Sequence, residues 1–435
     1  MSSFGSAYRI STFGESHCKA VGVIVDGVPP GLPISEADIQ VQLSRRRPGQ
    51  SDLTTPRDEK DKVTILSGVE KGYTLGTPLA MTVANQDQRP HDYGEMDFYP
   101  RPSHADWTYL QKYGVKASSG GGRASARETI GRVAAAGVAE KFLRLTHGVE
   151  VVAFVASIGN VSMEPMAAYP CEEGQNEEQQ EAKWLAKWHE WWRVLKTVTR
   201  GDVDKTEVRC PDDKVAGRMR ERIVKARDAH DSVGGTVVCV IRNVPAGLGE
   251  PCFDKLESKL AHAMMSIPAT KGFEIGSGYA GTDIPGHVHN DPFVLREGGR
   301  LGTVTNFSGG VQGGISNGED IYFKVAFKPA ATIGQAQATA TYEGEAGTLA
   351  AKGRHDPSVL PRAVPIVEAM ASLVIMDALL QQLGRQGARA LLPEDPNIPG
   401  VLTGKPPRGG QTEAEVVTTV VTQADGPHKV ETVRP

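Results

Sequence analysis

The chain has 435 residues, enough for two or three domains of ordinary size or for one large fold. Its 48 basic and 52 acidic residues give a formal charge of -4, which argues against a generally basic nucleic-acid-binding protein. No run of about 18 or more uncharged apolar residues is present, so the composition predicts no membrane-spanning helix. The first residues lack the pattern of a signal or transit peptide, and five scattered cysteines form no Cys-x-x-Cys pair, so we expect a protein of the reducing cytoplasm.

In the first half of the chain, the predicted elements are short strands and helices. Residues 20–25 predict a buried strand that leads into a Gly-Val-Pro-Pro-Gly turn. A helix is expected to begin after Ser35, which fits a capping box with Asp38, and to end before Pro48. Further predicted segments are strands at 63–66, 79–83 and 149–158 and a long helix at 124–145.

The second half predicts similar elements and contains a partial repeat. We expect a strand at 236–241, a helix at 253–265, glycine-rich turns and strands at 307–328, and a last helix at 363–383 that ends at Gly384. The sequence Val-Pro-Pro-Gly-Leu at 28–32 recurs as Val-Pro-Ala-Gly-Leu at 244–248, each time between an apolar strand and an amphipathic helix. A duplicated strand–turn–helix unit and chance reuse of a favourable turn explain this recurrence equally well.

Two segments differ in composition from the rest, so we expect a single domain over residues 1–384 with an insertion at about 163–213 and a flexible tail at 385–435. Four of the five tryptophans lie in the insertion at helical spacing, at positions 184, 188, 191 and 192. This spacing favours a surface helix that docks through an aromatic stripe over a platform for a partner or a nucleotide.

Several common site signatures are absent or lack their context. No phosphate-binding P-loop is present. Residues 276–281 match Gly-x-Gly-x-x-Gly, but the Thr-Asp-Ile-Pro-Gly that follows cannot open a helix, so a dinucleotide-binding fold is not indicated. His287 and His289 have no carboxylate or cysteine at a convincing ligand spacing, and we predict no metal site.

Three polar segments are better candidates for chemistry. His17 follows Gly-Glu-Ser in a tight loop, where it is either an acid or base or a structural histidine. The glycine-rich run that ends in Arg123 and Arg127 precedes a helix, which favours anion binding, although a capped helix with solvated arginines fits equally well. Gly-Arg-His-Asp-Pro at 353–357 forms a compact polar turn before the last helix. Together the three segments predict a pocket for small polyanions with acid and base groups, and they do not name a reaction.

Longer motifs resemble those of one enzyme family, the chorismate synthases. The resembling segments are 14–31, 45–49, 101–113, 122–129, 266–272 and 353–368. They occur in the family's order, and the match covers roughly residues 6–158 and 215–383, which makes the resemblance highly specific. The longer chain resembles fungal and some protist members, several of which reduce their own flavin with NADPH.

The resemblance implies the last step of the shikimate pathway. In this 1,4-elimination, 5-enolpyruvylshikimate 3-phosphate loses phosphate from C3 and a hydrogen from C6 to give chorismate. The reaction requires reduced FMN without net redox change, and NADPH is a further expected reductant. The implied fold is α+β, a β-α-β sandwich of two antiparallel sheets flanked by helices with a pseudo-duplicated core. The implied assembly is a homotetramer in which neighbouring subunits help to close the sites, without nucleic-acid or membrane partners.

The resemblance also implies roles for particular residues. His17 would protonate the departing phosphate, His104 would serve the reduced flavin near N1, and Asp356 would assist proton removal at flavin N5. The expected substrate contacts are Ser16, Arg46, Arg101, Ala126, Arg127 and Arg354. The expected FMN contacts are Arg123, Ala124, Ser125, Pro268, Ala269, Gly313, Lys328, Pro329, Ala330, Ala331, Thr332 and Arg354.

Three positions depart from the family's pattern. Ala124 stands where the second signature often has serine, Pro268 where some members have a flavin-contacting asparagine, and Asp52 where some bacterial members have a further arginine.

Two alternative functions stay open on the residues alone. One is a flavin reductase that only transfers hydride from NADPH, and the other is an inactive assembly protein that uses the anion sites structurally.

Overall fold

The computed structural model describes residues 2–51, 53, 59–86, 97–115, 121–163, 169–170, 177–296, 299–351, 356–393, 416–423 and 426–433. The chain divides into two compact units. One comprises Met1–Asp291 and Thr305–Gln382, and the other comprises Pro292–Val304 and Leu383–Pro435.

Helices and strands are mixed along the whole chain. The helices of the described residues are α1 (Glu36–Arg46), α2 (Asp106–Tyr113), α3 (Thr129–His147), α4 (Glu177–Thr197), α5 (Arg200–Val203), α6 (Asp213–Asp228), α7 (Leu256–Met265), α8 (Gly286–His289) and α9 (Leu360–Ala390). The strands of the first unit are β1 (Ser3–Phe4), β2 (Arg9–Phe13), β3 (Ala20–Asp26), β4 (Val63–Ile65), β5 (Val69–Glu70), β6 (Tyr73–Thr74), β7 (Leu79–Ala84), β8 (Glu150–Ile158), β9 (Val161–Ser162), β10 (Gly235–Arg242), β11 (Thr270–Ile275), β14 (Val311–Gln312), β15 (Ile315–Ser316), β16 (Ile321–Phe327), β17 (Gln337–Ala340) and β18 (Ala346–Leu349). Those of the second unit are β12 (Phe293–Leu295), β13 (Leu301–Thr303), β19 (Val416–Gln423) and β20 (Gly426–Val433). This mixture is consistent with the predicted α+β class.

Two five-stranded antiparallel sheets organise the first unit. Sheet 1 has the strand order β1-β2-β3-β7-β4, and sheet 2 has the order β11-β16-β10-β8-β9. In β3, Val21, Val23 and Val25 are fully buried on the face of the sheet that contacts α3, because successive side chains point to opposite faces. In β8 and β10 nearly every residue is buried, so the centre of sheet 2 is covered on both faces.

The turn after β3 has a defined hydrogen-bond pattern. The backbone N–H of Leu32 donates to Thr74 Oγ1 at 2.9 Å, and this hydroxyl donates to the carbonyl oxygen of Pro29 at 2.6 Å. Gly31 adopts a φ of +80°, a backbone conformation that glycine adopts without steric cost.

The turn after β10 repeats this pattern at the corresponding positions. The N–H of Leu248 donates to Ser316 Oγ at 2.9 Å, this hydroxyl donates to the carbonyl oxygen of Pro245 at 2.6 Å, and Gly247 has a φ of +95°. Because β3 and β10 are also each the third strand of their sheets, the shared geometry favours duplication over chance reuse of a turn.

Most predicted elements are confirmed, and the main differences lie at helix ends. Ser35 caps α1 through the predicted capping box. The long helix predicted from 124 begins only at Thr129, because residues 122–128 form two 3-10 turns. Gly384 does not end α9, which continues to Ala390. A glycine inside a helix costs only about 1 kcal/mol relative to alanine, and Gly384 is not among the residues with positive φ, so it does not form a left-handed cap.

Helix α9 is the central core helix. Among the described residues it alone is long and apolar enough to cross a membrane, by length and composition only. Because 89% of its apolar stretch is buried inside the protein, burial accounts for this composition. Asp377 anchors α9 to the residues before β2 by accepting backbone N–H groups from Ser6, Ala7 and Tyr8.

Helix α4 in the insertion docks through its tryptophans. Trp184, Trp188 and Trp191 are buried. Trp184 stacks on Phe307 with ring centroids 6.0 Å apart, and Trp188 meets the same ring edge-on at 5.1 Å. The predicted aromatic stripe is therefore confirmed, and the buried rings do not form an exposed platform.

Candidate active site

The loop before β3 presents His17. The hydroxyl of the buried Ser16 lies 2.9 Å from His17 Nδ1, which restrains the ring. Gly14 has a φ of +91°, and a Cβ atom there would lie 2.4 Å from a backbone oxygen, so the turn requires glycine. Asn85 Nδ2, which follows β7, donates to the carbonyl oxygen of Cys18 at 2.6 Å and fixes the loop from outside.

Asp106, the first residue of α2, joins His104 to Arg101. The Arg101 side chain forks onto the carboxylate, with Nε 2.8 Å from Oδ2 and Nη2 2.8 Å from Oδ1. His104 Nδ1 lies 2.8 Å from the same Oδ1. Burial opposes ionisation of Asp106, but the hydrogen bonds from Arg101 and His104 outweigh it and hold the pKa of this carboxyl well below its usual range.

A glycine-rich turn connects these two loops. Gly121 has a φ of +85°, and a Cβ atom there would lie 2.9 Å from His104 Cε1, so only glycine allows this approach. Arg123 Nη1 donates to the carbonyl oxygen of Gly14 at 2.9 Å, and its Nη2 donates to Thr12 Oγ1 at 2.7 Å. The turn thus contacts His104 on one side and the His17 loop on the other.

Arg46 and Arg127 share one buried carboxylate. Asp61 Oδ2 accepts from Arg46 Nη1 at 2.8 Å, and its Oδ1 accepts from Arg127 Nη1. Arg46 Nη2 also donates to the carbonyl oxygen of Ala126 at 2.7 Å, and Arg127 Nε donates to Asn85 Oδ1 at 2.6 Å. Both guanidinium groups are therefore held in place by protein oxygens.

Charges of both signs are concentrated around these arginines. Glu59 lies 3.5 Å from Arg127 Nη2, and both side chains are buried. Burial lowers the pKa of Arg46 to about 10, the nearby charges of Arg362 and Arg127 act in the same direction, and Asp61 opposes them. Arg46 therefore stays charged at neutral pH, and the protein supplies counter-charges for a closely packed group of cations.

Asp356 precedes α9 and pairs with Arg362 in its first turn, with Arg362 Nη1 2.8 Å from Asp356 Oδ2. The carbonyl oxygen of the neighbouring Pro357 accepts the N–H of Val233, which holds this segment against β10. Arg362 Nε and Ser358 Oγ are buried without a hydrogen-bond partner among the described residues. Buried polar atoms normally have partners, so these two are available to a bound ligand.

The segment after β16 lies beside the His104 loop. Lys328 Nζ donates to the carbonyl oxygen of Ser103 at 3.1 Å, and Arg101 Nη1 lies 3.4 Å from Thr332 Oγ1. The N–H of Lys328 donates to the carbonyl oxygen of Ala269, which has a φ of +71°. Burial and the nearby charge of Lys271 lower the pKa of Lys328, as expected where positive charges are gathered.

The structure thus brings most of the predicted residues into one network of contacts, through the pairs described above. Asp356 is linked to this network through its partner Arg362, whose charge lies near Arg46. Pro329, Ala330 and Ala331 follow Lys328 in the same segment, and Ser125 caps the turn that carries Arg127. Arg354 lies outside the described residues.

Gly313 lies in the turn between β14 and β15, and a Cβ atom on the neighbouring Gly314 would meet the backbone oxygen of Glu250 and the side chain of Lys255.

Sequence reasoning gave no role to the carboxylates Glu59, Asp61 and Asp106 or to Asn85 and Arg362. The only signal for the first two was a pair of acidic residues two positions apart, shortly before a strand. No cluster of three or more His, Cys, Asp or Glu side chains that could hold a metal occurs in the part of the chain that the structure describes.

Comparison with known proteins identifies the family. The sequence model of the chorismate synthases matches residues 8–380. The chain is 62% identical over 400 residues to the chorismate synthase of Schizosaccharomyces pombe, covering 90% of this chain and 99% of the relative. It is 61% identical over 416 residues to that of Neurospora crassa, covering 90% and 94%. A crystal structure of a chorismate synthase superposes with a TM-score of 0.64 at 30% identity, covering 88% of this chain and 94% of the other. The chain therefore belongs to the chorismate synthase family.

Proposed function

We propose that the network around His17, His104 and Asp356 is where the chain performs the reaction of its family. This reaction eliminates phosphate and a hydrogen from 5-enolpyruvylshikimate 3-phosphate to give chorismate. The observation that carries the proposal is that segments far apart in sequence meet through the buried pairs of Arg46 and Arg127 with Asp61. The substrate carries two carboxylates and a phosphate, and guanidinium groups fixed in advance and shielded from water stabilise such charges best.

We assign His17 the proton that the departing phosphate takes up. The Ser16 hydroxyl at Nδ1 orients the ring, and histidine exchanges protons near neutral pH. The proposed substrate contacts are Ser16, Arg46, Arg101, Ala126, Arg127 and Arg354. Because Asp61 already holds Arg46 and Arg127, the substrate would meet them without further ordering of long side chains.

The residues of the network fit reduced FMN. When bound, reduced FMN supplies an electron-rich ring that can accept the hydrogen from C6. Lys328 and Lys271 offer positive charge to its phosphate, and the unpaired Arg362 Nε and Ser358 Oγ offer hydrogen bonds near Asp356. We assign His104 to the N1 region and Asp356 to the proton at N5. The proposed cofactor contacts are Arg123, Ala124, Ser125, Pro268, Ala269, Gly313, Lys328, Pro329, Ala330, Ala331, Thr332 and Arg354.

An anaerobic assay tests this assignment together with the source of electrons. We expect chorismate from 5-enolpyruvylshikimate 3-phosphate when FMN is reduced chemically, and no product without FMN. We also expect product with FMN and NADPH alone, because the high identity to fungal relatives favours the longer, self-reducing form. Product with chemical reductant only would remove the NADPH activity, and no product in either arm would contradict the proposed site.

A homotetramer is proposed from the surface of sheet 1, and a cytoplasmic location is kept as a separate proposal. The face opposite α3 presents the uncharged side chains of Ser11, Phe13, Ile24, Ala80 and Thr82 on adjacent strands. Phe13 and Ile24 are 44% and 41% exposed in the single chain. Covering such a face would remove apolar surface from water. Sedimentation should give four times the mass of one chain, and a monomer at micromolar concentration would contradict the assembly.

The β-α-β sandwich is proposed on similar grounds, as a single domain over residues 1–384. Helix α3 contacts strands of both sheets, and Glu368 of α9 accepts the backbone N–H of Ala153 in sheet 2 while Asp377 reaches the residues before β2. Helices that touch both sheets are what a sandwich with a helical middle layer requires.

A further inference from the structure

We propose that Asp106 is a positioning residue that keeps a proton on Nδ1 of His104 and so leaves Nε2 as the nitrogen that faces the glycine-rich turn. The inference rests on the proposed function of His104 and extends it to a residue for which neither the sequence motifs nor the comparisons provide a role. A carboxylate that fixes the tautomer and orientation of a catalytic histidine is a recurrent arrangement in enzymes.

The contacts of His104 Nδ1 indicate which ring nitrogen carries the proton. His104 Nδ1 lies 2.8 Å from Asp106 Oδ1 and 3.0 Å from Arg101 Nη2. An unprotonated Nδ1 would direct its lone pair at a carboxylate oxygen at hydrogen-bond distance, which is repulsive. With a proton on Nδ1, the imidazole and Arg101 both donate to Oδ1 at 2.8 Å, and the 3.0 Å separation of Arg101 Nη2 from Nδ1 is then a contact between two donors that share this acceptor. The carboxylate oxygen is the nearer neighbour of Nδ1, which favours the protonated form.

The carboxylate of Asp106 is held rigidly. Arg101 holds both oxygens of Asp106 with its fork, and its backbone N–H donates to Oδ2 at 3.1 Å. Asp106 is also the first residue of α2, where the helix dipole favours a negative charge. These interactions keep Asp106 ionised at neutral pH and fix the direction of its lone pairs.

The other ring nitrogen of His104, Nε2, faces the glycine-rich turn. A Cβ atom on Gly121 would lie 3.4 Å from His104 Nε2, so this edge of the ring faces the turn that leads to the proposed cofactor contacts Arg123 to Ser125. The His104 side chain is 18% exposed, so the imidazole is largely enclosed. Rotation of the ring would break its bond to Asp106, so the carboxylate sets which nitrogen points at the turn.

Other charged groups surround this pair. Arg101 and Lys328 bring positive charge, whereas Asp97 contributes negative charge near Tyr342. Burial, with the charge of Asp106 as the next contribution, raises the pKa of Tyr342 to about 12. Asp106 is the carboxylate that contacts both Arg101 and the imidazole, so it supplies the nearest negative charge to this group.

Asp106→Asn separates tautomer control from simple packing. The amide is nearly the same size as the carboxylate but can present an N–H to Nδ1, which would move the ring proton to Nε2. In the full-length, ligand-free protein carrying 15N-labelled histidine, we expect His104 to change from the Nδ1–H to the Nε2–H form. The His104 signal is assigned by its loss in His104→Gln. We expect kcat to fall about 10–100-fold, the size usual for residues that orient a histidine, with FMN still raising the melting temperature.

Two further variants complete the test. Asp106→Glu should keep the Nδ1–H form and recover part of the activity, and Asp97→Asn removes an exposed carboxylate nearby and should leave both readouts unchanged. An Nε2–H ring in the unmodified protein, or a fall in kcat without a tautomer change, would overturn the inference. A changed tautomer with unchanged kcat would uphold the positioning and contradict the catalytic role of His104.

Discussion

Replacing His17 with alanine should lower turnover by about 10²–10⁴-fold while the protein stays folded. The imidazole is held by Ser16 in a loop that Asn85 and Arg123 fix from two sides, so its removal leaves the backbone of the loop anchored. What is lost is the proton for the departing phosphate, whose negative charge would then have to be stabilised by the arginines alone.

The measurement is steady-state formation of chorismate under anaerobic conditions with reduced FMN. The matched control is His147→Ala, because His147 lies at the end of α3 and bonds only the adjacent Thr146 among the contacts described for it. The control should stay within twofold of the unmodified protein. If His17→Ala is equally active, another group delivers the proton, whereas loss of the circular dichroism spectrum would show that His17 is structural.

The arginines of this site could be predicted from the sequence, but the carboxylates that pair with them could not. The arginines at 46, 101 and 127 could be named from the sequence because each lies in a segment that resembles a motif of the family. Their counter-charges were not recognisable, since Asp61 is 66 residues from Arg127 and meets it only in the folded chain. Local patterns report turns and caps, whereas the pairing of buried charges depends on which loops the sheets bring together.

The boundaries of the helices and strands likewise separate features set by neighbouring residues from features set by packing in the folded chain. Strand β3 and the capping box at Ser35 depend on residues within one turn, and both were predicted correctly. The continuation of α9 past Gly384 and the 3-10 turns before Thr129 depend on packing that outweighs local preference. The contacts of Arg200 and Asp204 also depend on the folded chain, because Arg200 meets Glu368 of α9 and Asp204 meets Arg45 of α1, each more than 150 residues away along the chain.

Replacing Glu368 with glutamine should lower the free energy of unfolding by about 3–5 kcal/mol, the cost of breaking a buried ion pair by removing one partner. Glu368 is fully buried in α9, and its Oε2 contacts Arg45 and lies 3.1 Å from Arg200 Nε. Its Oε1 accepts the backbone N–H of Ala153 at 3.0 Å. Without the carboxylate, the partly buried guanidinium groups of Arg45 and Arg200 lose a counter-charge that joins α1 and α5 to α9.

The contribution of Glu368 should also depend on pH. Burial opposes its ionisation, but Arg200 and Arg45 outweigh burial and lower its pKa below the usual value. For a carboxyl group whose pKa is lowered on folding, the stabilisation is complete above the unfolded-state pKa of roughly 4.3 and disappears as the pH falls through the folded-state pKa. The difference between the unmodified protein and Glu368→Gln should therefore be constant near neutral pH and shrink below about pH 4.

Urea unfolding at one fixed protein concentration measures both effects, since an oligomer's stability depends on concentration. Glu207→Gln is the matched control, because Glu207 pairs with Arg220 at 3.2 Å with both side chains about half exposed. Exposed pairs contribute at most about 1 kcal/mol, so this control should change little. A difference below about 1 kcal/mol for Glu368→Gln would mean that Glu140 and Asp204, which also contact Arg200 and Arg45, suffice to neutralise the buried arginines.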